Sequence, residues 1–230
     1  MTAMWSLLIL SGLGFCSDPP LPAAEKVVAF SGYQWAVRSP RGAVGPGPNL
    51  FSDSSRNVWV DEAGRLHLKI THDGGRWTCA EVALDRSLGY GTYTLLLDSE
   101  LERLDDRSVL GFFTWDDRPL EEHREMDIEL SKWSQPLDRN AQFVVVPTDK
   151  KVRFNVLPAL GPTAYRFTWS PGRVIFAGAG ARSWDYADAG VPSSGTARIK
   201  LNLWLFRGQA PSSGREVEAI VDAFTFQPPP

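Results

Sequence analysis

Cysteine is nearly absent. Only Cys16 and Cys79 occur in 230 residues, and removal of an N-terminal leader would leave Cys79 alone, with no intrachain disulfide. An excess of basic charge is also missing. The net charge of -3 argues against a general nucleic-acid binder. No apolar run is long enough to cross a bilayer as a helix, since the one from Met4 to Phe15 is too short. After that run, no twelve-residue segment holds a helical period. No internal repeat stands out, and no shift in composition after Val27 suggests a second domain.

The run from Met4 to Phe15 reads as the apolar part of a secretory signal, although no Lys or Arg precedes it. Two versions are open: cleavage near Ala23-Ala24, or a lipoprotein site at Leu13-Gly14-Phe15-Cys16 in which Phe15 is bulky for that pattern. Residues 1–25 are thus expected to be leader and Pro-rich linker, with one domain over 26–230. The expected location is secreted, periplasmic or attached to the cell surface.

What the chain has in quantity is short alternating strands. Leu66, Leu68 and Ile70 alternate with Arg65, His67 and Lys69. Further strands are expected over 58–61, 77–84, 90–98, 109–115, 142–147, 152–156, 164–169, 173–177, 197–206 and 217–226. Turn signals such as Asp73-Gly74-Gly75 and Ser170-Pro171-Gly172 separate them. About a dozen strands at this spacing predict an all-β, two-sheet antiparallel sandwich or jelly roll.

One stretch stands out: His123-Arg124-Glu125-Met126-Asp127-Ile128-Glu129-Leu130. Period two puts Met126, Ile128 and Leu130 on a buried face and Glu125, Asp127 and Glu129 on an open one, with His123 before them. Like charges on one face of a strand are unfavourable. Three readings of the residues are open. The face is simply solvated, or it holds a metal through His123 and the three acids, or it carries a carboxyl pair for glycoside hydrolysis. In the last case the Cα atoms of Glu125 and Glu129 are about 13 Å apart, so their side chains must lean together.

Glu125-Met126-Asp127-Ile128-Glu129 resembles the Glu-x-Asp-x-Glu signature of glycoside hydrolase family 16, which includes lichenases, laminarinases, agarases and carrageenases. Gly111-Phe112-Phe113-Thr114-Trp115 looks like the strand before the signature, and Ala141-Gln142-Phe143 like the one after it. Tyr165 to Gly172 resembles the family's Tyr-x-x-x-Trp-x-Pro-Gly hairpin, and Asn202-Leu203-Trp204 its late Asn-Leu-Trp. The resemblance covers roughly residues 30 to 226. It implies a concanavalin A-like jelly roll with a sugar cleft and a retaining mechanism. Glu125 is then the nucleophile, Glu129 the general acid/base and Asp127 the helper between them. It further implies sugar contacts from Glu81, Phe113, Trp115, Asn202 and Trp204. It implies no catalytic metal or cofactor, although some members carry a structural calcium away from the cleft.

The chain departs from lichenase-like members at Ala83, where they have Arg, and at His123, where they have Trp. It departs again at Val144 and Val146, where they have Asn and Tyr. The trio is kept while several sugar-binding groups are lost, so mixed-linked glucan does not carry over as substrate. His123, on the face of the trio, and Trp133, just beyond the strand, are added as candidate sugar contacts. Trp169, Trp35, Trp59 and Trp184 are expected to be structural, His67 and His72 to lie at the surface, and Cys79 to be a small buried thiol or part of the cleft lining. The function expected is a retaining endo-glycosidase acting on a β-linked polysaccharide, with no protein partner implied. A transglycosylase on the same site and a carbohydrate-binding protein without turnover are the alternatives.

Overall fold

The computed structural model describes residues 25–98, 104–135, 139–156, 161–178 and 182–230. The apolar leader, the Ala23-Ala24 cleavage positions and Cys16 lie outside the described residues. In chain order the strands are β1 Val27–Phe30, β2 Tyr33–Val37, β3 Val58–Val60, β4 Leu66–Asp73, β5 Arg76–Thr78 and β6 Ala80–Leu84. They continue with β7 Gly91–Asp98, β8 Ser108–Trp115, β9 Met126–Leu130, β10 Ala141–Val145 and β11 Lys150–Phe154. The last five are β12 Thr163–Ser170, β13 Arg173–Ala177, β14 Ser183–Ala187, β15 Arg198–Leu205 and β16 Val217–Gln227.

Two sheets form a sandwich of the jelly-roll kind. The first runs β1-β2-β6-β15-β8-β9-β10-β11, the second β14-β13-β12-β7-β16-β4-β3, with β5 paired to β4. All named pairs are antiparallel; eight of the fourteen join consecutive strands, and six join strands far apart in the chain. β15, for instance, lies between β6 and β8. The core fills the space between the sheets, with rings meeting across it: Phe112 and Phe167 at 5.2 Å, Trp35 and Phe224 at 5.1 Å, Phe143 and Phe176 at 5.1 Å. Aromatic pairs at these separations add to the area they bury.

The expected 77–84 strand is two strands. Cys79 is the point where the chain leaves the second sheet and enters the first, and it makes a lone bridge to Phe51. Its thiol is fully buried, donates to Asn49 Oδ1 at 3.4 Å and is pushed up to about 12 by burial. It is therefore a packed thiol and not part of the cleft lining. His67 is buried, not superficial. It stacks on Trp59 at 4.4 Å and contacts Glu218 at 2.7 Å and Asp61 at 3.1 Å. β10 ends at Val145, so Val146 begins a 3-10 turn and does not continue the face that carries Val144.

Candidate active site

The first sheet presents one face to the core and the other to an open cleft of about 710 Å³. On β9 the alternation is as the sequence predicts: Met126, Ile128 and Leu130 are buried in the core, while Asp127 and Glu129 line the cleft. Strand register then sets the neighbours of each acid. Gln142, Glu129, Gly111, Asn202 and Glu81 form one row across five strands. Val144, Asp127, Phe113, Lys200, Ala83 and Ala36 form the next. Trp115 and Arg198 begin a third, beside Glu125.

Gly111 is opposite both Glu129 and Asn202, and a Cβ there would lie 2.5 Å from Asn202 Oδ1. Glycine thus leaves the gap between these two side chains open. Asn202 is buried, and its Oδ1 has no hydrogen-bond partner among the described residues. Its Nδ2 donates to Glu81 at 3.4 Å. Glu81 is buried as well, and is held by Arg38 at 2.9 Å and Lys200 at 3.3 Å.

Burial raises the proton affinity of all three acids. Asp127 is affected most. Burial comes first, the charges of Glu125 and Glu129 add to it, and it donates a hydrogen bond to Glu125. For Glu125, burial is opposed by that accepted bond, reinforced by the Glu129 charge, and opposed again by His123 and Lys200. For Glu129, burial is opposed by Gln142, whose Nε2 donates a short bond to Oε2, and by the charges of Arg153 and Lys151. The arrangement favours a proton on Asp127, shared toward an ionised Glu125, with Glu129 separately held by an amide.

The chain enters β9 through a 3-10 turn at Glu122–Arg124, so the strand begins at Met126 and not upstream. His123 has φ 59° and does not extend the strand face. Its ring instead stacks on Trp115 at 4.1 Å, and its Nδ1 lies 2.8 Å from the Asp116 carbonyl. A carbonyl only accepts, so Nδ1 carries the hydrogen. Lys200 Nζ lies over the Trp115 ring, 5.0 Å from its centroid. Trp115 is therefore held between two side chains as well as lining the cleft.

Of the sequence candidates, the cleft brings together Glu81, Phe113, Trp115, Glu125, Asp127, Glu129, Asn202 and Trp204. His123 reaches the cleft only from behind Trp115, and Trp133 does not line it. The backbone turns left-handed at Trp133 and Ser134, and the buried indole packs under the Arg153 guanidinium at 4.3 Å. Sequence reasoning missed Lys200, Arg198 and Arg38. The first two share the period-two face of Asn202 and Trp204, so the alternation that placed those residues could have found them. Among the described residues no group of three or more His, Cys, Asp or Glu is arranged to hold a metal ion.

No family model matches the chain, and no curated protein matches it in sequence. Solved structures do match in shape. The Bacillus licheniformis β-glucanase superposes with a TM-score of 0.65 at 18% identity, over 85% of this chain and 92% of that one. A prokaryotic β-1,3-1,4-glucanase (lichenase) derived from a mouse hindgut metagenome gives 0.64 at 20% identity, over 85% and 93%. An immunostimulatory antigen and pseudo β-1,3-glucanase of Mycobacterium tuberculosis gives 0.62 at 18%, over 84% and 89%. These likenesses establish a shared fold.

Proposed function

We infer that this protein is an exported retaining endo-glycosidase that cuts a β-linked polysaccharide in the cleft of the first sheet. The observation that carries the reading is the unequal treatment of three neighbouring carboxyls. Burial and the charges of Glu125 and Glu129 raise the proton affinity of Asp127 most, while Gln142 donates to Glu129. Fold likeness to β-glucanases supports it, as does the match of the trio to the family 16 signature. The apolar run before Cys16 supports export, by a cleaved signal or a lipid anchor.

In the first step the Glu125 carboxylate bonds to the anomeric carbon and the bond to the leaving sugar breaks. Glu129 gives its proton to the leaving oxygen. In the second step water bonds to the same carbon, the Glu125 ester breaks, and Glu129 takes the proton from the water. Asp127 donates to Glu125 throughout and shapes its charge. If a sugar hydroxyl takes the place of water, the same steps transfer the chain instead of hydrolysing it. Asn202 Oδ1, buried and without a donor among the described residues, accepts from a sugar hydroxyl in the gap beside Gly111 in this reading.

A second reading has one observation behind it. Ala83 and Val144 stand in the row of Asp127 and Lys200 where lichenase-like members have Arg and Asn, as suits a cleft that binds sugar without turning it over. Glu125→Gln separates the two. Release of reducing ends from a panel of β-linked polysaccharides should be lost in the variant while binding on an affinity gel is kept. Wild type and variant giving the same products, or none, would leave the binding reading standing.

A further inference from the structure

Lys200 lies in the middle of the cleft floor, where a neutral sugar needs no charge. Its side chain is only 12% exposed. An ammonium has three donors. One reaches Glu81 at 3.3 Å, and that carboxylate is already engaged by Arg38 at 2.9 Å and by Asn202. No other acceptor for Lys200 is present among the described residues. Beyond that shared carboxylate the ammonium has only the face of the Trp115 ring, 5.0 Å from its centroid, so two of its donors lack an oxygen acceptor, and an anionic oxygen entering the cleft would supply one.

Other cations frame the same face. Arg198 lies one row along β15, with its Asp117 partner largely in solvent. On the far side of the trio, β11 places Lys151 opposite Val144, on the same face of the sheet. Lys151 makes no ion pair with a described residue. Outside the trio, then, the cleft is lined by three cations, Arg38, Arg198 and Lys200, and by three carboxylates, Glu81, Asp117 and the exposed Glu25, with Lys151 on the same sheet face beyond the trio. Lys200 is two strands from Asp127, about 10 Å away, so an anion held there is set apart from Asp127, and the adjoining Glu81 carboxylate is already neutralised by Arg38 and Lys200.

We propose that the cleft is built for an anionic polysaccharide, whose carboxylate or sulfate group is received by Lys200 and Arg38 beside the point of cleavage. This rests on the glycosidase reading for turnover, but binding tests it independently. The probes are a β-linked glucuronan and its carboxyl-reduced product, a sulfated galactan and its desulfated product, and a neutral mixed-linked β-glucan. The two matched pairs separate carboxylate from sulfate.

On an affinity gel, wild type should bind one anionic member about tenfold or more tightly than its neutralised partner, the worth of one charged hydrogen bond. The preference should weaken as salt is raised. Lys200→Met should remove most of it and Lys200→Arg restore it. Lys151→Ser, on an exposed strand, serves if Lys200→Met fails to fold, and should reduce the preference less. Equal binding within each pair, preference for the neutral glucan, or no binding to any probe would overturn the proposal. Anionic preference without reducing-end release would refute turnover and leave the proposal intact.

Discussion

Burial makes ionising Asp127 costly to the fold. The affinity of this carboxyl for a proton is raised well above the ordinary value, first by burial and then by Glu125 and Glu129. A carboxyl raised in this way contributes full stability below its unfolded value, and that contribution is lost as the pH climbs through the folded value. Asp127→Asn keeps the size and a donor toward Glu125 but cannot ionise. It should therefore melt higher than wild type at about pH 8, with the gap closing toward about pH 4. Calorimetry across that range checks this. A gap that widened toward acid would mean that Asp127 is ionised in the folded protein. The trio itself was legible, because period two and acid identity are both local properties. Which acid has the most raised proton affinity was not, since that depends on burial and on His123, Lys200 and Gln142 from elsewhere in the chain.

The turn before β9 is the element least visible in the sequence. Glu121, Glu122, His123 and Arg124 all have φ between 49° and 59°, with no glycine among them. Left-handed backbone costs about 1–2 kcal/mol per residue of this kind, so something must hold it. Arg124 is buried and donates to Asp116 at 2.6 Å, to Ser193 at 3.2 Å and to Glu121 at 3.3 Å. Thr114 donates to the Arg124 carbonyl at 2.6 Å and accepts from Met126 N at 3.0 Å. Arg124→Met should cost about 3 kcal/mol in urea unfolding, because it takes a partner from the buried Asp116. It should also slow turnover, because Glu125 is the next residue. Arg173→Met, which breaks an exposed pair with Asp185, should cost less than about 1 kcal/mol. The same limit explains the missed strands. β1, β2 and β14 lie at or near sheet edges and are only four or five residues long, and in β14 the alternation of Trp184 and Tyr186 with Ser183, Asp185 and Ala187 leaves no residue fully buried.

At the scale of the whole molecule, the sandwich was legible because most of its strands announce themselves. The rows across the cleft were not, because register between β6, β8 and β15 is a long-range property. Cys79 gives a direct measure of how firmly the two sheets are joined, since it sits where the chain passes from one to the other. In a Cys16→Ser background its thiol should react with a disulfide reagent only as fast as the whole protein opens, with the same denaturant dependence as global unfolding. Faster labelling would reveal a local opening between β5 and β6.

Neighbouring strands stand about 4.8 Å apart, so the six strands from β2 to β10 make a graduated scale about 24 Å long. Ala36, Ala83, Lys200, Phe113, Asp127 and Val144 each mark one division. The backbone pairing that holds the sheet together thus also serves as a ruler, with its zero at Asp127. A ligand too short to reach the Lys200 mark leaves that part of the scale unread.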